Sequence, residues 1–260
     1  MLVFSSYVPY LPILPGVGDV EHKEKVKNTL VAYKTLEEDL YASKPDVVLV
    51  LTKHGDMLPD AFSASLSSTF RTSFEELGNF DVSMDIKCDT EFLQRIKEKM
   101  MTTIPLVLFT EEKLAYTFSP LHYLMKSHKY PIVPLYYSML DNHDHFLFGQ
   151  MLREVIEESG KRVAIVAIGN LSHCVTQFGP GKYNEAGKKF DQKIVNALKK
   201  DKKGLVMKIE DDLIKKAQEC GMKTLLMLLG VLEEYNVKTD ILEYEYPFGV
   251  GYLTVNFKLY

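Results

Sequence analysis

The sequence predicts an α/β fold: a single domain with a central mixed β-sheet flanked by helices. Two short apolar runs, residues 46–52 and 162–168, are rich in β-branched side chains, which is typical of strands buried on both faces of a sheet. Between a first strand at 2–8 and the run at 46–52, apolar residues recur on one face of a helix predicted over 20–43. A strand, a helix and a strand in this order form a βαβ unit, so we expect these two strands to be parallel.

The rest of the chain continues with further strands and helices. Alternating apolar residues at 61–67 and 82–88 predict two antiparallel strands, and Asp89 is a typical N-cap for a helix ending near residue 101. Apolar patterns then predict, in chain order, a strand at 104–109, a helix at 121–127, a strand at 130–137, helices at 142–159, 188–200, 211–218 and 220–234, and strands at 237–246 and 250–257. No linker or repeat interrupts this order, so residues 1–260 are interpreted as one domain.

The composition excludes several classes of function. The formal net charge is -4, and Lys and Arg are interspersed with Asp and Glu without a basic stripe, so a nucleic-acid partner is not expected. The longest apolar run, 225–232, is far shorter than the ~20 residues of a membrane span, and the first residues lack the basic start of a signal peptide. Cys88, Cys174 and Cys220 are widely spaced, which favours a reducing compartment. We expect a cytoplasmic protein without a nucleic-acid or membrane partner, and the sequence is compatible with a homo-oligomer.

Two histidines follow the predicted buried strands. His54 comes just after the strand at 46–52, and His173 comes just after the strand at 162–168, where it begins a loop rich in Gly and Pro. Ligands of α/β sheets bind outside the carboxyl ends of the strands, and a histidine there can act as a base or bind a metal. The alternative is that each histidine only braces its loop. Because the pattern occurs twice, we expect the two side chains within about 12 Å of each other, a span that one metal and a bound substrate can bridge.

A second pair of histidines, His143 and His145, lies at the start of the helix predicted over 142–159. Two histidines separated by one residue can suit a metal. On a helix, however, residues two apart face different directions. A solvated helix start is therefore the favoured interpretation of this pair.

Several short motifs, taken in order, resemble a known family. They are Val8-Pro-Tyr-Leu-Pro-Ile13, Thr52-Lys-His-Gly55, Asp60-Ala-Phe-Ser63, Gly169-Asn-Leu-Ser-His173, Gln218-Glu-Cys-Gly221 with the apolar run 225–232, and Tyr246-Pro-Phe-Gly-Val-Gly-Tyr252. Each motif alone is weakly specific, but together they cover the chain from its beginning to the C-terminus. The first motif opens the proline loop, an extended loop predicted from Pro9, Pro12 and Pro15. In this order the motifs resemble the class III extradiol ring-cleavage dioxygenase superfamily, the LigB-like proteins, and most of all its small archaeal and bacterial branch related to the Memo proteins.

The resemblance implies a role for four residues. In such enzymes two histidines and a glutamate hold Fe(II) and leave open positions for a catechol-type substrate and dioxygen. His54 matches the second ligand histidine, and His173 matches a further histidine that acts as acid and base. Glu219 is expected to be the carboxylate ligand, with Cys220 as the alternative, as in the Memo-related branch. Apart from the resemblance, Glu219 is an acid favoured at a helix N-terminus, and Cys220 is a small buried apolar residue.

Three features depart from the family pattern. Tyr10 stands in place of the first ligand histidine; a phenol with an ordinary pKa of about 10 is a poor ligand at neutral pH. We expect Tyr10 instead to pack its ring in the proline loop and to hydrogen-bond through its hydroxyl. The stretch 113–116 lacks the family's Asp-His-Gly, and Asn170 replaces the usual aspartate near His173.

The resemblance and its departures leave two functions open. One is an Fe(II)-dependent extradiol-type dioxygenase that acts on a small aromatic diol or a related compound, with an impaired metal site. The other is a catalytically silent, Memo-like scaffold that binds a small molecule or a protein partner in the same crevice. Tyr10 and the missing Asp-His-Gly favour the scaffold, whereas His54, His173 and Glu219 favour the enzyme.

Overall fold

The protein is described by a computed structural model that covers residues 1–11, 20–53, 57–77, 79–101 and 103–260. Over these residues the predicted fold class is confirmed, since a large mixed sheet lies between two layers that contain helices. His54 and most of the predicted proline loop, residues 12–19, lie outside the described residues.

Eleven strands are present in the described part of the chain. They are β1 Leu2–Val8, β2 Val47–Thr52, β3 Phe62–Ser65, β4 Thr69–Thr72, β5 Asp85–Lys87, β6 Leu106–Phe109, β7 Lys113–Leu114, β8 Ile132–Tyr136, β9 Val163–Ile168, β10 Val237–Glu245 and β11 Tyr252–Leu259. Eight form one sheet in the order β10-β11-β1-β9-β2-β8-β3-β6, and three form a small sheet in the order β5-β4-β7. Strands β1, β9, β2 and β8 are parallel neighbours, so their carboxyl ends lie at the same edge.

The central strands are apolar along their length because both faces of the sheet are covered. Every residue of β2 and β9 is buried. In β2, Val48 and Val50 belong to the core on one face, and Leu49 and Leu51 belong to the core on the other. This two-sided burial explains why short apolar runs, rather than alternating patterns, predicted these strands.

Eight α-helices of the described residues surround the sheet. They are α1 Val20–Lys25, α2 Lys27–Ser43, α3 Thr90–Met100, α4 Pro120–Leu124, α5 Asn142–Glu158, α6 Glu185–Lys199, α7 Asp211–Ala217 and α8 Met222–Val231. Helices α3, α5, α6, α7 and α8 supply the core on one face, while α2, α4 and the small sheet supply the other. As predicted, Asp89 is the N-cap of α3 and accepts a hydrogen bond from the amide of Phe92 at 3.0 Å. Within the described ranges, no helix is both long and apolar enough to cross a membrane.

The structure corrects the sequence prediction in two places. The strands predicted at 61–67 and 82–88 do not pair with each other. Instead β3 joins the large sheet beside β8 and β6, and β5 pairs with β4, which the sequence pattern does not predict. The helix predicted over 20–43 is divided into α1 and α2 at Val26. Alternation identifies a strand but not its partner, because pairing depends on contacts between distant segments.

Helices α5 and α8 pack closely through two glycines. A β-carbon on Gly149 would lie 2.0 Å from the carbonyl oxygen of Met227, and one on Gly230 would lie 2.1 Å from the carbonyl oxygen of Phe146. These oxygens belong to helix backbones, so they cannot give way without moving a whole helix. The contact fixes where α8 begins, and with it the position of the residues just before it.

We expect Gly230→Ala to lower the free energy of unfolding by about 2 kcal/mol. Overpacking costs up to about 3 kcal/mol, and alanine recovers about 1 kcal/mol as the better helix residue. Urea unfolding followed by circular dichroism measures the change. Gly204→Ala is the matched control, because no atom lies within 4 Å of the added β-carbon. An unchanged unfolding midpoint for Gly230→Ala would contradict the close packing of the two helices.

Candidate active site at the strand ends

Asn170 holds the ends of β1 and β9 together. Its side-chain oxygen accepts a hydrogen bond from the amide of Tyr10 at 3.0 Å, and its side-chain nitrogen donates to the carbonyl of Tyr10 at 3.2 Å. An ionised aspartate could accept the first bond but could not donate the second. Asparagine therefore suits this position, and the pair of bonds places Tyr10 beside the loop that carries His173.

The thiol of Cys220 lies between Tyr10 and His173. Its Sγ atom is 3.5 Å from the Tyr10 hydroxyl and 3.4 Å from Nε2 of His173. The amide of Asn170 also donates to Sγ at 3.4 Å, and the amide of Cys220 donates to the carbonyl of Asn170 at 3.3 Å. These contacts form one group, which we call the Tyr10–Cys220–His173 cluster. The predicted hydroxyl contact of Tyr10 is therefore present, with its ring edge-on to Tyr116.

Burial keeps the three groups of this cluster neutral. Burial and the charge of Lys53 lower the pKa of His173 to about 4. Burial raises the pKa of the Cys220 thiol, and burial together with Cys220 raises the pKa of Tyr10. At pH 7 the cluster therefore consists of an imidazole, a thiol and a phenol. A neutral imidazole can accept a proton, so His173 is in the state that a general base requires.

Glu219 caps the start of α8. Its Oε2 atom accepts hydrogen bonds from the amides of Gly221 at 2.7 Å and Met222 at 2.6 Å. Burial raises the pKa of Glu219, although these two amides and the charges of Lys53 and Lys223 act in the opposite direction. The capping role is the alternative interpretation of this residue from the sequence. Among the hydrogen bonds of the described residues, none joins Glu219 to the Tyr10–Cys220–His173 cluster.

Lys53 is a residue of this site that the sequence analysis missed. It directly follows β2, whose neighbour β9 leads to His173. At His173 its charge adds to the lowering of the pKa by burial, and at Glu219 and Cys220 it opposes the larger effect of burial, which raises the pKa of both. Its place beside His54 in the strand-end motif was the signal for it. The distance between His54 and His173 stays a prediction, since His54 lies outside the described residues.

The second pair of histidines is divided between solvent and core. His143 is exposed, and its ring lies within 4.8 Å of the carboxylates of Asp141 and Asp144, an arrangement also common without a metal. His145, in contrast, is fully buried, with its ring 4.8 Å from that of Phe62. The prediction of a solvated helix start is therefore wrong for His145, because the first turn of α5 faces the core on that side.

Asp191 is a buried acid near the candidate site, and the sequence analysis missed it as well. It lies on the apolar face of α6 and has no solvent exposure. Its carboxylate accepts hydrogen bonds from the amide of Ser172 at 2.9 Å and the hydroxyl of Tyr244 at 2.8 Å. Burial raises the pKa of Asp191 to about 7, and the nearby charge of Glu219 adds to this. The sequence alone does not indicate this burial, because an acidic residue in an amphipathic helix is normally expected on its exposed face.

We expect Asp191→Asn to flatten the pH dependence of stability. Between the unfolded pKa of about 3.9 and the folded value of about 7, the folded protein binds one proton more than the unfolded chain. The free energy of unfolding of the parent protein therefore falls as the pH rises through this window, and asparagine removes this loss. Relative to the parent, the variant should gain as much as about 4 kcal/mol between pH 4 and pH 7. Urea unfolding at several pH values measures it, and parallel pH curves for the two proteins would contradict the assignment.

Comparisons with known proteins bear on the identity of the chain. Protein CA_C1420 of Clostridium acetobutylicum is 33% identical over 258 aligned residues, which cover 94% of this chain and 55% of that protein. The chain thus spans about half the length of this curated relative. The crystal structure of uncharacterized protein JW3007 from Escherichia coli K12 has a TM-score of 0.71 with 15% identity, covering 98% of this chain and 100% of that one, and it supports the fold alone. The family model described as the catalytic LigB subunit of aromatic ring-opening dioxygenase matches residues 2–255, and the chain therefore belongs to the LigB family.

Proposed function

We propose that this protein is an extradiol-type ring-opening dioxygenase whose site includes the Tyr10–Cys220–His173 cluster. Its substrate is a small aromatic diol or a related compound. The observation that carries the proposal is the convergence of these three polar side chains at the carboxyl ends of β1 and β9, in a chain of the LigB family. In α/β sheets this edge is where ligands bind.

His173 is the proposed acid and base of the reaction. Burial and the charge of Lys53 lower the pKa of His173 to about 4, so the imidazole is neutral at pH 7 and has a free nitrogen lone pair, but it is a weak base until a bound ligand changes its surroundings. The thiol of Cys220 lies 3.4 Å from Nε2. Because the pKa of this thiol is raised by burial, Cys220 does not form an ion pair with the ring. Proton exchange between the His173 ring and a bound substrate would therefore not require an ion pair between the ring and Cys220 to be broken first.

Fe(II) is the proposed metal, with His54 and Glu219 as ligands and Cys220 as the alternative to Glu219. The described donors fit this set only in part. Oε2 of Glu219 is occupied by two backbone amides, and Cys220 and Tyr10 both retain their protons. A ferrous triad needs two imidazoles and an ionised carboxylate. We therefore expect the protein to bind Fe(II) weakly.

A catalytically silent scaffold is the second candidate, and the position of Tyr10 favours it. The Tyr10 hydroxyl lies against the thiol of Cys220, and its ring packs edge-on against Tyr116 at 5.8 Å. A phenol held in this way fills the place of a metal ligand without acting as one. In this case the crevice would bind a small molecule or a protein partner without turnover.

We expect Tyr10→His to bind Fe(II) more tightly than the parent protein, because an imidazole replaces a phenol whose proton is retained by burial. Calorimetric titration with Fe(II) under anaerobic conditions measures the affinity, and an absorbance assay of catechol ring opening follows. Tyr10→Phe is the matched control, since it removes the hydroxyl without supplying an imidazole. Equally tight binding by the parent would overturn the view that Tyr10 weakens the site. No gain in Tyr10→His would favour the scaffold.

We expect His173→Ala to lower turnover on the order of 10²–10⁴-fold while the iron content stays the same, because the role of His173 is proton transfer and not ligation. The assay compares His173→Ala with the parent protein. If the parent shows no turnover but Tyr10→His does, the same comparison is made in the Tyr10→His background. His128→Ala, at an exposed position, is the control and should have no effect. Loss of iron from His173→Ala would show instead that His173 is a ligand.

A further inference from the structure

Ser172, the residue before His173, is held by three separate elements. Its amide donates to Oδ1 of Asp191 at 2.9 Å, and its hydroxyl donates to the carbonyl of Ala217 at 2.9 Å. Its carbonyl accepts a hydrogen bond from the amide of Gly251 at 2.8 Å. Helix α6 therefore holds the amide of Ser172, the residue just before β11 holds its carbonyl, and the end of α7 holds its side chain.

The imidazole of His173 has fewer constraints of its own. The amide of His173 donates a hydrogen bond to the carbonyl of Ala217 at 3.2 Å, and its carbonyl accepts one from the amide of Gly181 at 3.0 Å. In the described structure, the side-chain hydrogen bond of His173 is the one to Cys220, at 3.4 Å. A thiol is a weak partner, so it does little to orient the ring. The backbone of residues 172 and 173 sets the position from which the ring extends, and so contributes to its direction.

The carboxyl group of Asp191 is itself held in position. Tyr244 of β10 donates to its Oδ2 at 2.8 Å. On another side, a β-carbon at Gly251 would lie 2.0 Å from the same oxygen, so only glycine leaves room for the carboxylate there. The carboxylate is thus held between two strands with Oδ1 directed at the amide of Ser172.

We propose that Asp191 is a positioning residue for His173, acting through the amide of Ser172. This inference rests on the proposed role of His173 and deepens it. Asp191 forms no described hydrogen bond with Tyr10, Cys220 or His173, and its bond to the amide of Ser172 is the contact that links it to the neighbouring His173. Burying an acid on the apolar face of α6 is costly, and the carboxylate is tolerated because both oxygens accept hydrogen bonds.

Nuclear magnetic resonance of the full chain, labelled at histidine, tests the proposal without metal or substrate. The His173 imidazole signal is identified by its absence from His173→Gln. At fixed pH, Asp191→Ala should shift and broaden this signal, because the amide of Ser172 loses its acceptor. Asp191→Asn should restore the parent signal, since the asparagine oxygen can accept the same bond.

Two further variants separate positioning from general loosening. Ile194→Ala removes another buried side chain from α6 and should leave the His173 signal at the parent position. Tyr244→Phe removes the hydroxyl that donates to Oδ2 of Asp191. It should shift the His173 signal in the same direction as Asp191→Ala does, but by a smaller amount. If Asp191→Ala does not fold, Tyr244→Phe serves as the test.

An unchanged His173 signal in folded Asp191→Ala, or in Tyr244→Phe where Asp191→Ala does not fold, would overturn the proposal. An equal shift in Ile194→Ala would overturn it too. Because the signal needs no turnover, failure of the proposed activity appears separately in the ring-opening assay.

Discussion

The burial of β9 on both faces of the sheet is the constraint on which the rest of the structure depends. All six residues of Val163–Ile168 are buried and apolar, so the strand itself carries no chemistry. The first polar residues after it must find partners at once, because unpaired polar groups are costly next to a core. Asn170 pairs with the backbone of Tyr10, and Ser172 pairs with Asp191. These bonds draw the end of β1 and helix α6 together, and the amide of Cys220, just before α8, donates to the carbonyl of Asn170 at the same point, which is the candidate site.

The same burial determines the charge state of the site. His173, Cys220 and Tyr10 lie close together, and burial disfavours the charged form of each. The positive charge of Lys53 acts from the neighbouring strand end and further disfavours a charged imidazole. The cluster is therefore uncharged at pH 7 and poorly suited to holding a cation with its own charges.

The sequence predicts the central part of the fold well because the signal there is local. Runs that are apolar on every residue predict β2 and β9. His173 follows β9 in the sequence, and in the structure its imidazole contacts the thiol of Cys220. The partners of β3 and β5 were not predictable in this way, since pairing depends on contacts between distant segments. The burial of His145 and Asp191 escaped prediction for the same reason. Each is polar in sequence, and only the packing of its helix shows which side faces the core.

Glu219 and Cys220 show how one helix start gives neighbouring residues different tasks. The carboxylate of Glu219 accepts hydrogen bonds from two backbone amides at the start of α8. Leaving a buried amide without its acceptor costs about 1–3 kcal/mol. A metal at Glu219 would therefore have to bind through the other carboxylate oxygen, in a direction set by the helix. A metal at Cys220 would instead have to displace the proton of a thiol whose pKa burial has raised. Both routes oppose tight binding independently of Tyr10, so an imidazole at position 10 would supply a ligand but would not remove these two costs.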